Sequence, residues 1–314
     1  MKIITKQQIK DLQILPSTCV DWVREGFSIK DNSQVPAKIS VHPKGSDYFT
    51  TMPCLLPLTY NRVGLKIIRR ISGNIPSICS EILLYESSTG TLLAIIDGDW
   101  ITAMRTGATA VVAAQELRCG DNVTYGFIGL GNMARSTLLC LLESERNIHH
   151  RVILLNYKDQ VQSFVERFRR YDNVTFDVAY NIEDVVEGSA VIVSSITDAD
   201  GLLCERIEKF RPGCTLIPIH VRGFENCDTA FDKVIGDDTE HLKNWKHFNE
   251  FKHFSELKDV IGGRIGRCNE RERILVYNYG LALHDTFFAS KIYEMFNTDL
   301  LDVEWPKETN KFWV

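Results

Sequence analysis

Six residues constrain this chain more than any others: Gly129-Leu130-Gly131-Asn132-Met133-Ala134. They follow an apolar stretch, Val123–Ile128, that reads as a buried strand, and they open a stretch to about Glu145 that reads as a helix. A first glycine permits a tight turn, a second lets the backbone approach a pyrophosphate, and a small residue at the sixth position allows close helix–strand packing. The unsatisfied N–H groups and positive end of such a helix suit phosphate. Gly129, Gly131, Asn132, Met133 and Ala134 are therefore candidate contacts for a dinucleotide. An ordinary strand–turn–helix without a nucleotide is the bland alternative.

From Asn122 the chain alternates strand and helix. Strands are expected at Val152–Asn156, Val174–Val178, Ala190–Ser194, Thr215–His220, Lys233–Gly236 and Ile274–Tyr277, with helices at Gln160–Tyr171 and Ile182–Val186. Apolar strands separated by helical stretches predict a parallel sheet covered on both faces, a doubly wound α/β arrangement. In such folds the second strand ends near the adenosine ribose. Asn156 occupies that end and Lys158 follows. Asn156 can bond a ribose hydroxyl without repelling a 2′-phosphate, so NAD and NADP both stay open; the absence of an Arg for a bidentate phosphate contact favours NAD.

The first hundred residues read differently, as short β segments with turns, including a hairpin formed by Ser80–Tyr85 and Thr91–Ile96. Asp99–Leu117 reads as a helix whose small residues, Ala103, Gly107, Ala110, Ala113 and Ala114, suit close packing. Leu281–Phe296 reads as a closing helix that returns to the first domain. The expected division is therefore 1–117 with 281–314, and 118–280.

The net charge of −5 gives no basic footprint for nucleic acid. The nine cysteines are scattered, without a C-x-x-C pair, which argues against a disulfide framework or zinc site and for a reducing compartment. The opening residues lack the apolar run of a signal peptide, and no stretch approaches the roughly 20 apolar residues of a membrane span. A cytoplasmic protein without membrane or nucleic-acid partners is expected.

The chain resembles the ornithine cyclodeaminase/μ-crystallin family from about Gln34 to Met295. The resemblance is carried by Gly64-Leu65-Lys66, Met104-Arg105-Thr106-Gly107-Ala108-Thr109, the glycine turn, and Gly280-Leu281-Ala282-Leu283-His284-Asp285-Thr286. It implies a Rossmann domain inserted in an α+β substrate and dimerisation domain, a homodimer, and action on small amino acids or imines. It also implies that Lys66 and Arg105 bind the substrate α-carboxylate. Lys38 falls where many members carry a third cation, an Arg; a Lys keeps the charge but loses the planar fork. A buried carboxylate needs paired, charged donors to offset its desolvation. Thr51 and Met52 match a pocket-lining segment, with a plain core role for Met52 equally open. Thr106, Thr109 and Thr197 are cofactor-contact candidates or simple caps.

One stretch departs from the family. The cyclodeaminases carry an Asp just after the fifth Rossmann strand, where this chain reads Ile219-His220-Val221-Arg222-Gly223. His220 can serve as a general base near neutral pH, and Arg222 can pair with a second substrate carboxylate. Asp285 is a remote further candidate, or a cap of the closing helix. The His-Val-Arg stretch, Lys38 and Val234-Ile235-Gly236-Asp237-Asp238 are most similar to the branch that oxidatively hydrolyses N-(2-amino-2-carboxyethyl)-glutamate in siderophore synthesis. The expectation is a nicotinamide-dependent, opine-like amino-acid dehydrogenase in which Lys66 or His220 takes the amine proton. A redox-neutral cyclodeaminase and a crystallin-like NADPH-dependent binding protein are the alternatives.

Overall fold

The structure, a computed structural model, describes residues 1–121, 123–296 and 302–304. Asn122, where the strand–helix alternation was placed, lies outside the described residues, as do 297–301 and 305–314 of the returning segment. The chain forms two compact units, one of residues 1–14, 31–102 and 282–314 and the other of 15–30 and 103–281. This differs from the expected division in two places: the boundary falls inside the Asp99–Leu117 helix, and 15–30 joins the second unit.

The first unit is a six-stranded sheet. Its strands are β1 (Lys2–Ile4), β2 (Ile39–Val41), β3 (Tyr48–Leu55), β4 (Arg62–Arg70), β5 (Ile78–Glu86) and β6 (Leu92–Asp97), in the order β1-β6-β5-β4-β3-β2. β2 to β6 are antiparallel neighbours and β1 adds in parallel beside β6. The expected hairpin is β5–β6. Along β3 to β6 burial alternates residue by residue, as the period of two demands of a sheet covered on one face. The covered face packs against α10 (Ala282–Met295).

The N-terminal residues correct the all-β expectation, because two helices form there. α1 (Lys6–Asp11) starts in a capping box between Thr5 and Gln8. α2 (Pro16–Ser28) starts with Pro at its first turn and buries Cys19, Val20, Val23, Gly26 and Phe27 along one stripe.

The second unit holds α3 (Asp99–Leu117) beyond its first turn, together with α2 and an eight-stranded parallel sheet. Its strands are β7 (Thr124–Ile128), β8 (His150–Leu155), β9 (Val174–Ala179), β10 (Val191–Ser194), β11 (Thr215–Pro218), β12 (Lys233–Gly236), β13 (Phe254–Glu256) and β14 (Ile274–Tyr277). Its further helices are α4 (Asn132–Ser144), α5 (Gln160–Phe168), α6 (Ile182–Gly188), α7 (Cys227–Ala230), α8 (Thr239–Leu242) and α9 (Leu257–Ile261). The order is β13-β12-β14-β11-β10-β7-β8-β9. The chain leaves β7 toward β8 and β9, then crosses to β10 on the other side, so β7 and β10 flank the switch point where such folds bind ligands. β11, β12 and β14 are buried at every position, as a sheet covered on both faces requires. β11 stops at Pro218, so His220 lies in the following loop rather than on the strand.

A buried cation fixes α2 in this unit. Lys30 Nζ donates to the Asp237 carbonyl (2.7 Å) and pairs with Glu256 (2.7 Å) and Asp238 (2.8 Å). Burial alone would raise Glu256, but Lys30 and the Thr239 hydroxyl and amide outweigh it and hold its carboxyl at about 2.

The small-residue face of α3 packs as its sequence requires. A Cβ built at Gly107 would lie 2.6 Å from the Thr137 backbone nitrogen in α4. Backbone cannot swing aside, so Gly107→Ala should destabilise the protein by about 1–3 kcal/mol although Ala is the better helix former. Thermal unfolding checks this, and an unchanged or raised Tm would refute the close approach.

Candidate active site

In the first unit, the face under α10 carries one fully buried charged side chain among the described residues, Lys66, while Arg62 of the same strand pairs with Glu294 of α10 at its rim (3.6 Å). Met52 and Cys54 of β3 stand opposite Lys66 and Gly64 of β4, and Lys66 stands opposite Ile82 of β5. All five are buried. Lys66 is 1% exposed, and its ammonium lies 2.8 Å from Asp285 Oδ1, itself fully buried in the first turn of α10. Gly64 makes that approach possible: a side chain there would collide with Thr286. Burial pushes the Cys54 thiol up to about 12, and the Asp285 carboxylate adds to the rise. Met52 thus touches the Lys66 position while filling the core, so both readings of it meet in one place. Thr51 is half-buried on the opposite face of β3, and Lys38 is half-buried in the segment before β2.

In the second unit, the glycine turn has the required geometry. Gly129 adopts φ +81°, a left-handed conformation, and packs on the exit of β10, where Ser195 Oγ donates to the Gly129 carbonyl at 2.7 Å. Gly131 is the N-cap of α4 and supplies no side-chain hydrogen bond; nothing lies within 4 Å of the place its Cβ would occupy. Ala134 is fully buried, while Asn132 is exposed and Met133 half-buried. The opening N–H groups of α4 therefore face open space beside a backbone with no side chain, a cradle that fits a pyrophosphate.

Other expected contacts occupy the same C-terminal edge of the parallel sheet. At the exit of β8, Asn156 is half-buried and donates its amide to the Ala179 carbonyl (2.8 Å). Lys158 is exposed at φ +48°, with its ammonium 4.9 Å from the Tyr157 ring centre. Thr197 is exposed in the loop after β10. His220 is half-buried after β11, and burial, aided by the Arg222 charge, lowers its pKa. Arg222 points to Asp198 across 3.4 Å, a solvated and weak pair.

On α3, Arg105 (8% exposed), Thr106 and Thr109 are all buried. The Thr109 hydroxyl donates to the Arg105 carbonyl (2.7 Å), which commits its proton to the helix. The Arg105 guanidinium lies against the backbone of Gly280, at φ +92°, where a Cβ would sit 2.8 Å from Nη1. The Gly280 amide donates to the Asp237 carboxylate at 2.6 Å.

Sequence reasoning missed Asn278. It directly follows β14 at 5% exposure, and neither polar atom of its buried amide has a hydrogen-bond partner. The one signal was a polar residue straight after a fully apolar strand. Among the described residues, no group of three or more His, Cys, Asp or Glu is arranged to hold a metal, and no helix is long and apolar enough to cross a membrane.

A parallel sheet with an open glycine cradle at its switch point defines a Rossmann-type nucleotide-binding fold. The chain belongs to the ornithine cyclodeaminase/mu-crystallin family, whose model matches residues 2–299. It is similar to the nodulation efficiency protein NfeD of Rhizobium meliloti, 26% identical over 274 residues and 83% of each chain. It is also similar to the N-((2S)-2-amino-2-carboxyethyl)-L-glutamate dehydrogenase of Staphylococcus aureus, 25% identical over 74% of this chain and 72% of that one. Among solved structures it resembles the Δ1-pyrroline-2-carboxylate reductase of Thermococcus litoralis in complex with NADH and L-proline. That match has a TM-score of 0.82 at 23% identity, covering 94% of this chain and 97% of that one.

Proposed function

We propose that this protein is a cytoplasmic, nicotinamide-dependent oxidoreductase of the Cα–N bond of a small amino acid or imine, acting as an opine-like dehydrogenase. The observation that carries the reading is the glycine cradle: α4 begins at a residue without a side chain, beside open space, at the switch point. Gly129, Gly131, Asn132, Met133 and Ala134 would hold the pyrophosphate, and Asn156 and Lys158 the adenosine ribose. Thr106, Thr109, Thr197 and the unpartnered Asn278 amide would serve the rest of the dinucleotide, with NAD favoured and NADP open. When bound, the nicotinamide supplies hydride acceptance from Cα, or donation to it.

Lys66 and Arg105, with Lys38, are assigned to the substrate α-carboxylate, and Met52 to the apolar wall. Oxidation of the amino acid gives an imine, and water then releases a keto acid and an amine, so the net change consumes one water and yields one reduced cofactor and a proton. The amine must first lose its proton. Lys66 and His220 are the candidate acceptors. Arg222 is assigned to a second carboxylate, which suits a substrate built on an acidic amino acid. The exit of β11 carries no acid before Glu225, so the redox-neutral cyclodeaminase lacks its amine-handling group. The half-exposed face of the first sheet, with Pro53, Leu65, Ile67, Leu83 and Ile95, supports a homodimer formed through that face.

The deciding experiment follows reduced-nicotinamide absorbance with NAD and NADP against amino acids, N-carboxyalkyl amino acids and cyclic imines. Net NADH formation is expected; binding of the cofactor without turnover of any compound would favour the crystallin-like alternative. Arg105→Ala should retain cofactor affinity and lose turnover by roughly a hundredfold or more. Equal loss of both would make Arg105 structural.

Gly131→Val tests the cradle. The open space around Gly131 predicts little change in Tm and at least a roughly tenfold weaker NAD affinity by calorimetry. Unaltered affinity would place the cofactor elsewhere.

His220 sets the pH dependence. Burial and the Arg222 charge hold its pKa below the ordinary imidazole value, so it is a neutral base at pH 7, and kcat/KM should fall as pH drops through that lowered pKa. His220→Asn should lower the rate and remove that acid limb; a limb that persists unchanged would exclude His220.

A further inference from the structure

We infer that Asp285 is a positioning residue that holds Lys66 as a permanent ammonium, and that Lys66 therefore anchors charge and takes no proton from the substrate amine. The inference rests on the proposed enzyme reading and sharpens it, because that reading leaves Lys66 and His220 as alternative bases.

The geometry is specific. The Lys66 ammonium sits 2.8 Å from Asp285 Oδ1, with the two side chains 1% and 0% exposed. An amine in an apolar layer shifts toward its neutral form, whereas a close carboxylate shielded from solvent favours the charged form. The carboxylate lies at hydrogen-bond distance, where its attraction for an ammonium is greatest. The register also leaves little slack. Lys66 is two residues from Gly64 on the same strand face, and Gly64 lets Thr286, the neighbour of Asp285, lie directly on β4. Lengthening the pair would require lifting α10 off the strand.

The groups around the pair reinforce the assignment. α10 packs on β3, β4 and β5. β3 turns Thr50, Met52 and Cys54 inward, and the Cys54 thiol, pushed up to about 12, is neutral. β4 contributes Gly64 and Lys66, and β5 contributes Ser80, Ile82 and Leu84. The other titratable residues of α10 are His284, Lys291, Tyr293 and Glu294, and at the rim of the same sheet face Arg62 of β4 pairs with Glu294 (3.6 Å) and lies over the Tyr293 ring. From the sheet, the Lys66 ammonium lies at hydrogen-bond distance from Asp285.

The test needs no substrate. The protein is labelled with 13Cε/15Nζ-lysine, and the Lys66 signal, identified by its loss in Lys66→Arg, is followed from pH 6 to 10.5. In the wild type it should stay an ammonium throughout. In Asp285→Asn, with folding monitored by circular dichroism, it should titrate at least one unit lower than in the wild type. Asp285→Glu keeps the charge and should restore the wild-type behaviour. A wild-type Lys66 that is neutral at pH 8, or one indifferent to Asp285→Asn, overturns the inference, and the wild-type titration decides the point even if the variant does not fold. A protein without dehydrogenase activity would refute the function and leave this titration standing.

Discussion

A buried lysine and a buried aspartate 219 residues apart in sequence are the constraint around which the first unit closes. The pair joins the middle of an antiparallel sheet to a helix supplied by the far end of the chain. Removing either partner would take the close counter-charge from the other in a layer with Met52, Cys54, Ile82 and Leu84, and breaking a buried pair in this way costs about 3–5 kcal/mol. Apolar residues of similar volume would pack as well or better, so stability alone does not account for a charge in this layer. A cation kept at a fixed place for a function does, and the sheet pays for it with a glycine at 64, where the helix must come close.

The second unit solves the opposite electrostatic problem by leaving groups out. Three helices are capped by side chains, Thr5 for α1, Asn181 for α6 and Asp238 for α8, whereas α2, α5, α7 and α9 share with α4 an N-cap that makes no side-chain hydrogen bond. At α4 the cap is Gly131, which offers nothing, and the helix N–H groups stay available. A Ser or Asp there would stabilise the helix by only about a few tenths of a kcal/mol but would fill the place a phosphate needs. The helix is thus less stable alone than it could be, in the position where an anionic ligand can supply the missing acceptors.

Much of this was legible in the sequence, for identifiable reasons. The strands of the parallel sheet are short apolar runs between turn residues, and the glycine turn fixes which strand comes first. α3 was readable from its small residues and the glycine that ends it. The helices α1 and α2 were passed over although their signals are local: a Thr5–Gln8 capping box, Pro16 at a first turn, and buried residues at 19, 20, 23, 26 and 27. β13 has three residues and no period to detect. Lys66 was singled out through the family resemblance at Gly64-Leu65-Lys66, whereas its pairing with Asp285 depends on a long-range return of the chain that no local pattern encodes. Asn278 became conspicuous only when the structure showed its amide buried and unpartnered.

The loop after β11 is where this chain departs most from the cyclodeaminase pattern, and its backbone is strained. Val221 holds φ +60°, a conformation that a β-branched residue rarely adopts and that costs on the order of 1–3 kcal/mol. The strain is imposed from both sides: the Val221 amide donates to the Pro218 carbonyl (3.0 Å), and the Gly223 carbonyl accepts from Leu203 (2.8 Å). A residue in an ordinary extended conformation at 221 would turn His220 and Arg222 in other directions. On the proposed function this matters for selectivity. An acid at this exit attracts a substrate ammonium; the Arg222 guanidinium repels one and favours an extra carboxylate, while a neutral His220 imidazole adds no charge of its own. On that proposal, the change of charge at one strand exit, held by a strained valine, would favour acidic over basic amino-acid substrates without altering the parallel sheet and its glycine turn.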